Sequence, residues 1–108
     1  MRADPPLAVI ELSGELDIAR KEELHRALAL DPGLRAVLLD LSGVTYADST
    51  ALTELLRFRK QTDENGISVA MVVTSPQFDR IIRYAGLYEV FSIFADRSSA
   101  TAFLERAQ

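Results

Sequence analysis

The hydrophobic positions of this chain fall into two alternating patterns, short apolar runs and stripes at helical spacing. The runs are short and mostly continuous, a pattern typical of strands that are buried in a sheet. They predict four strands, over residues 7–12, 35–41, 67–73 and 89–94. Between and after these runs, apolar residues recur three and four positions apart, which predicts amphipathic helices.

Four helices are predicted, over residues 19–30, 49–64 and 76–85 and from residue 96 onward. The second helix has its predicted apolar side at Leu52, Leu55, Leu56 and Arg59. The third has the clearest stripe, which consists of Phe78, Ile81, Ile82 and Ala85. Side-chain oxygens favour the position before a helix, and this predicts N-caps at Asp17, Ser75 and Asp96.

The predicted elements alternate between strand and helix, which indicates an α/β fold with a largely parallel sheet. Right-handed crossovers place the segments that follow successive strands at the carboxyl edge of such a sheet. Residues 13–18 and 42–49 follow the first two predicted strands, so we expect both to be loops at this edge. If those strands are neighbours, Asp17 and Ser49 come close together.

Composition and charge narrow the classes of function. The 108 residues predict a single domain over residues 1–108. The chain has no cysteine and one histidine, His25, which excludes disulfides, thiolate catalysis and a multi-histidine zinc site. A net charge of −4 argues against direct nucleic acid binding. We expect no membrane insertion and a cytoplasmic protein, because long apolar runs and an apolar secretory segment are absent.

Hydroxyl and carboxylate side chains cluster at the predicted sheet edge: Ser13, Glu15, Asp17, Ser42, Asp48, Ser49 and Thr50. A Ser-His-Asp triad is not expected, because His25 lies in a charged stretch of the first helix, as a solvated residue. A phosphoaspartate receiver is not expected, because Lys21 and Lys60 are the only lysines and lie on predicted helices. A Mg²⁺ site from Asp17 and Asp48 stays open. Taken alone, residues 48–50 predict helix capping.

Three segments carry a resemblance to a known family: LDLSGVTYADSTAL at residues 39–52, LSGELD at 12–17 and RIIRYAGL at 80–87. Together they resemble the STAS domain family over residues 7–106. The family has a G-E-L-D motif after an early strand and a D-S-[ST] motif after a buried one. The resemblance implies a mixed, largely parallel sheet of four to five strands, flanked by about four helices.

The free-standing STAS proteins that this chain resembles most are bacterial anti-sigma factor antagonists. In these, the unphosphorylated protein binds an anti-sigma factor that is also a serine kinase, and the sigma factor is released. Phosphorylation separates the pair, and a serine phosphatase resets the cycle. The resemblance implies a phosphoacceptor at Ser49, and no enzymatic activity, metal or cofactor. The partner-binding residues that it implies are Asp17, Asp48, Ser49, Thr50 and Ala51.

Two departures from the family pattern matter. Ala51 stands where the family usually has glycine, so a methyl group is added beside the proposed phosphoacceptor. Only six residues precede the first predicted strand, so an additional edge strand common in the family is expected to be missing or minimal.

Other functions stay open at this point. The main alternative is a STAS subunit that docks onto an ATPase of a lipid-trafficking transport complex and is not phosphorylated. A scaffold or sensor module that binds a small ligand, and a flavodoxin-like enzyme, are further possibilities. The sequence leaves the oligomeric state open. Phe58, Tyr46 and Tyr88 are candidates for exposed aromatic residues at an interface.

Overall fold

The computed structural model describes residues 7–107, and its sheet consists of four parallel strands in the order β1-β2-β3-β4. The strands are β1 (Leu7–Leu16), β2 (Ala36–Ala47), β3 (Ser68–Val72) and β4 (Ser92–Phe94). The helices are α1 (Lys21–Ala27), α2 (Ser49–Glu64), α3 (Pro76–Tyr84) and α4 (Arg97–Arg106). The predicted α/β alternation is confirmed. The predicted minimal edge strand falls on residues 1–6, outside the described residues.

Helices cover the two faces of the sheet unequally. On one face Val37, Leu39 and Leu41 of β2 belong to the main core, to which α1, α2 and α3 contribute buried residues. On the other face Ala36 and Leu38 pack in a smaller core with residues of β3 and α4. The alternation follows from the strand period of two, since successive side chains of β2 point to opposite faces. Residues 36–41, the part of β2 that is buried on both faces, therefore form an apolar run that only Asp40 interrupts.

The buried side of α2 differs from the predicted one. Leu55 is buried as predicted, but Leu56 is 43% exposed, and Phe58 is 1% exposed instead of lying at the surface. The core-facing side consists of Ala51, Glu54, Leu55, Phe58 and Thr62. Leu55 belongs both to the predicted apolar side and to the observed one. The observed side, which contains the large Phe58 ring, faces the sheet. Tyr46 and Tyr88 are exposed, as predicted, at 45% and 37%.

The ends of several elements also differ from prediction. Residues 18–20 form a 3-10 turn, capped by Asp17, before the shorter helix α1. Residues 87–89 form a second 3-10 turn, so β4 has three residues. Gly86 precedes this turn with a φ of 81°, a conformation that glycine adopts without strain.

The segments predicted as loops at residues 13–18 and 42–49 are largely strand. β1 and β2 continue to pair beyond β3, up to Leu16 and Ala47, and form a two-stranded ribbon. Register shifts between Glu11 and Ser13 and between Gly14 and Glu15 mark irregularities of the bulge type. Such an extra residue breaks the period-two pattern, and this is why the sequence pattern did not reveal the ribbon. The ribbon, defined as residues 13–16 and 42–47, projects from the carboxyl edge of the sheet.

The ribbon requires a residue without a side chain at position 43. A Cβ atom added to Gly43 would lie 2.9 Å from the Cβ of Ser13 on the facing strand. We expect Gly43→Ala to lower the free energy of unfolding by about 1–3 kcal/mol, because an atom close to the backbone cannot move aside cheaply. Urea denaturation measures the loss. Ser13→Gly in the same chain should restore most of it, and a double variant as unstable as Gly43→Ala would contradict this explanation.

Candidate functional site

The end of the ribbon brings the two sequence motifs together. Leu16 and Ala47 are the last paired residues of β1 and β2, and Asp17 and Asp48 follow them directly. The backbone N–H of Asp48 donates to the carbonyl of Leu16 at 3.0 Å. The predicted proximity of the G-E-L-D and D-S-[ST] segments is thus found in the structure, although strand pairing produces it instead of loop contact.

The Asp48 carboxylate connects the two segments through both of its oxygens. Oδ1 accepts a hydrogen bond from the backbone N–H of Ala51 at 3.0 Å and so caps α2. Oδ2 accepts from the backbone N–H of Ile18, also at 3.0 Å. The first contact is the helix cap that residues 48–50 predict, and the structure assigns it to Asp48. The second ties the start of the 3-10 turn to the start of α2, and the sequence pattern did not reveal it.

The Asp17 segment is fixed by two further contacts. Asp17 Oδ1 accepts from the backbone N–H of Ala19 at 3.1 Å, which caps the 3-10 turn. Arg20 Nη1 donates to the carbonyls of Ser13 and Glu15, at 2.7 and 3.0 Å. These carbonyls lie where the β1 register shifts, and Arg20 supplies them with a side-chain donor at this irregularity. No local sequence pattern indicated this role of Arg20.

Ser49 is the first residue of α2 and is exposed, with Thr50 half-buried beside it. Its carbonyl accepts a hydrogen bond from Thr53 Oγ1 at 2.8 Å. Within residues 7–107 no protein hydrogen bond engages the Ser49 hydroxyl. The capping role that was predicted for residues 48–50 falls to Asp48, and the exposed Ser49 takes no part in it.

Ala51 lies on the opposite side of α2 from where we expected it. The resemblance placed it on the partner-binding surface, but it is 0% exposed and packs in the main core. Its backbone N–H is engaged by Asp48. The methyl group that distinguishes it from glycine therefore points inward, and it neither blocks nor forms the surface around Ser49.

The exposed surface at the ribbon end combines acidic and apolar groups. Asp17, Asp48, Ser49 and Thr50 are joined there by Ile18, which is 69% exposed. Ile18 has an apolar side chain in a turn whose backbone is fixed by Asp48. We call the surface formed by these five residues the ribbon-end surface. The apolar side chain of Ile18 is thus open to solvent beside the half-buried Asp17 and Asp48.

The described part of the chain offers little support for metal binding, a catalytic triad or a phosphoaspartate receiver. Among residues 7–107, no three or more His, Asp or Glu side chains group closely enough to hold a metal ion. The side chain of His25 is 61% exposed, as predicted, but its Nδ1 lies 3.2 Å from Oε1 of the buried Glu54 on α2. Lys21 and Lys60 lie on α1 and α2. In the same range, no helix combines the length and apolarity needed to cross a bilayer.

Comparison with known proteins identifies the family. The family model described as STAS domain matches residues 1–100. This chain belongs to the STAS domain family. One STAS relative is BtrV of Bordetella bronchiseptica, which carries the name of an anti-sigma factor antagonist. It is 28% identical over 98 residues, which cover 89% of this chain and 84% of BtrV.

Solved structures confirm the STAS fold. An anti-sigma factor antagonist from Mycobacterium paratuberculosis superposes with a TM-score of 0.84 at 22% identity, covering 96% of this chain and 90% of its own. The STAS domain of a SulP transporter from Vibrio cholerae superposes with a TM-score of 0.74, also at 22% identity, covering 99% and 89%. Antagonists and transporter domains thus share this fold, and the fold alone does not separate them.

The first prediction for the site concerns the Asp48 carboxylate, which accepts two hydrogen bonds. Asp48→Ala removes the cap of α2 and the acceptor for Ile18, and should lower the free energy of unfolding by about 1–3 kcal/mol. Asp48→Asn keeps a side-chain oxygen for the Ala51 amide and should lose less. Urea denaturation of both variants tests this, and equal stability of Asp48→Ala and the wild-type chain would contradict the cross-link.

The inward position of Ala51 generates a second prediction. Ala51→Gly, which restores the usual family residue, should lower the free energy of unfolding by about 1–2 kcal/mol, through lost helix propensity and a lost buried methyl group. The exposed surface should not change, so binding of any partner at Ser49 should be within twofold of the wild-type chain. A large gain in affinity with glycine would show that the methyl group obstructs the partner.

Proposed function

We propose that this STAS protein is an anti-sigma factor antagonist, and that phosphorylation of Ser49 switches off its binding to an anti-sigma factor with serine kinase activity. The observation that supports this most directly is the exposed Ser49 at the start of α2, directly after the capping carboxylate of Asp48. The name of the BtrV relative supports the same assignment. The protein would act in the cytoplasm, where the kinase finds ATP.

The phosphorylation step needs little from this chain. The partner kinase would supply ATP, metal ion and catalytic base. As the Ser49 Oγ–phosphorus bond forms, the bond from the γ-phosphorus to ADP breaks, and the hydroxyl proton passes to the partner's base. This chain contributes a hydroxyl in a fixed position, because Asp48 holds the helix end that carries it. We therefore propose that it is a substrate and a binding module and has no enzymatic activity of its own.

The domain should tolerate the phosphate without refolding. Phosphorylation adds a charge of about −1.5 to −2 at pH 7. At the start of the 16-residue helix α2, free backbone N–H groups and the helix dipole favour negative charge. The Ser49 side chain is already exposed, so the added group enters solvent instead of the core.

A phosphate on Ser49 should weaken the complex with the partner. Asp17 and Asp48 already make the ribbon-end surface acidic, and a partner that covers it must desolvate any added phosphate beside these carboxylates. A loss of about 2–4 kcal/mol would weaken binding roughly 30- to 1000-fold. Electrostatics and desolvation are therefore sufficient for a switch, without a conformational change. A serine phosphatase would remove the phosphate and restore binding.

Variants of Ser49 test this proposal. Ser49→Ala should bind the anti-sigma factor as tightly as the wild-type chain, but ATP should no longer dissociate the complex. Ser49→Asp should bind at least about tenfold more weakly, because it adds a charge to the covered surface. Ser98→Asp is a matched control, since Ser98 is an exposed serine in the first turn of α4 and lies outside the ribbon-end surface. Titration calorimetry measures the affinities, and unchanged affinity of Ser49→Asp would refute the electrostatic switch.

The second candidate is a STAS component that docks onto an ATPase in a lipid-trafficking transport complex and is not phosphorylated. The STAS domain of the Vibrio cholerae SulP transporter covers this chain as completely as the Mycobacterium paratuberculosis antagonist does. Structural likeness therefore supports a transport component as much as it supports an antagonist. The intact mass of the protein from its native cells, before and after phosphatase treatment, separates the two. A phosphatase-sensitive mass shift that maps to Ser49 supports the antagonist, and its absence under all growth conditions supports the transport component.

A further inference from the structure

A single guanidinium, that of Arg97, bridges β1 and β2 at the base of the ribbon. Arg97 is the first residue of α4, and its Nε donates to Asp40 Oδ2 at 2.6 Å. Its Nη2 lies 2.8 Å from Glu11 Oε2. Glu11 and Asp40 are register partners in the parallel pair, and the β1 register shifts directly after Glu11. Asp40 is also the last β2 residue that pairs with β3. Arg97 thus lies where the ribbon leaves the sheet.

The central carboxylate of this contact, that of Asp40, is largely removed from solvent. Its side chain is 8% exposed, and its Oδ1 accepts from the backbone N–H of Ser42 at 2.9 Å. Burial favours a raised pKa for Asp40, but the hydrogen bonds from Ser42 and Arg97 outweigh burial and hold the pKa below its ordinary value. A buried carboxylate is stable only with such partners. Asp40 therefore joins the first ribbon residue, Ser42, to α4.

The two faces of the ribbon are held differently. On the core side, Leu16, Val44 and Ala47 are buried in the main core. On the outer side, ribbon residues such as Tyr46 are exposed. The Arg97 contacts lie at the base of the ribbon and so add a polar restraint to the apolar restraint of the core.

A small rotation at the base has a large effect at the end of the ribbon. Residues 42–47 extend about 16 Å at the usual strand rise, so a rotation of about 10° would move the end by about 3 Å. Such a displacement is larger than a hydrogen bond tolerates. The end carries Asp48, whose two hydrogen bonds position Ser49 and the Asp17 segment.

From this geometry we propose that Arg97 is a positioning residue for the ribbon-end surface. Its contacts with Asp40 and Glu11 set the angle of the ribbon, and the angle sets where Asp17 and Ser49 meet the partner. Arg97 does not touch the partner itself. The proposal rests on the proposed antagonist function for its binding consequences, whereas its structural consequence is independent of any partner.

Hydrogen exchange of the isolated protein tests the structural consequence. In Arg97→Gln, the backbone amides of Ile18 and Ala51, which donate to Asp48, should exchange about tenfold faster, while amides of β3 exchange at the wild-type rate. Arg83→Gln is the matched control, because Arg83 makes a similar ion pair, 2.8 Å from Nε to Asp79 Oδ2, within α3. The control should leave the Ile18 and Ala51 amides unchanged.

Binding and phosphorylation test the functional consequence, at a temperature at which every variant is folded. With an anti-sigma factor that binds the wild-type chain, Arg97→Gln and Asp40→Asn should raise Kd about five- to tenfold. Arg97→Lys, which keeps the charge, should restore part of the affinity. Arg83→Gln, the matched control, should stay within twofold of the wild-type chain. With a kinase that phosphorylates Ser49, the KM for this protein should rise and kcat should be unchanged, because only docking is affected.

The outcomes are distinguishable. Unchanged exchange of Ile18 and Ala51 in Arg97→Gln, or equal acceleration throughout β3, would overturn the positioning role, the second by showing a general loss of stability. Faster exchange at the site with wild-type affinity would also overturn it for partner binding. If the wild-type chain binds no anti-sigma factor, the proposed function fails, while the exchange experiment still decides whether Arg97 positions the ribbon end.

Discussion

The site depends on one carboxylate that is shared between two backbone segments. Asp48 accepts from Ile18, 30 residues earlier, with one oxygen and from Ala51, three residues later, with the other. Each bond satisfies an amide at the start of a helical turn, where such groups have no partner within the helix. The consequence is a surface on which two distant motifs are fixed relative to one another. The adjacent serine is left exposed, since the aspartate already performs the capping.

The ribbon explains how a small α/β protein presents this surface away from its core. Parallel strands normally end where their neighbours end, and here β1 and β2 continue beyond β3. This continuation requires a close approach at Gly43 and a partner for irregular carbonyls, which Arg20 provides. Its inner side is anchored by the buried Leu16, Val44 and Ala47. The same pair of strands is therefore packed against the core on one face and exposed at its end.

Within three residues of α2, helical periodicity places one side chain at the surface and another in the core. Ser49 is exposed and Ala51 is fully buried, although both belong to the first turn. A change at position 51 therefore acts on packing and helix propensity, whereas a change at position 49 acts on charge at the surface. This is why a departure from the family pattern at Ala51 weighs less against the antagonist function than it does in the sequence alone.

The order of strands and helices, the family and the caps Asp17, Ser75 and Asp96 could be predicted from sequence, because local patterns and short motifs encode them. The sequence alone also pointed to Ser49, through its resemblance to a family motif. The ribbon, the inward side of Ala51 and the burial of Phe58 were missed, because pairing register and helix rotation depend on the packing of distant elements. The contacts of Asp48 with Ile18 and of Arg97 with Asp40 join residues far apart in the chain. Only the tertiary structure decides such contacts, since no local pattern records which polar groups meet when strands pair and helices pack.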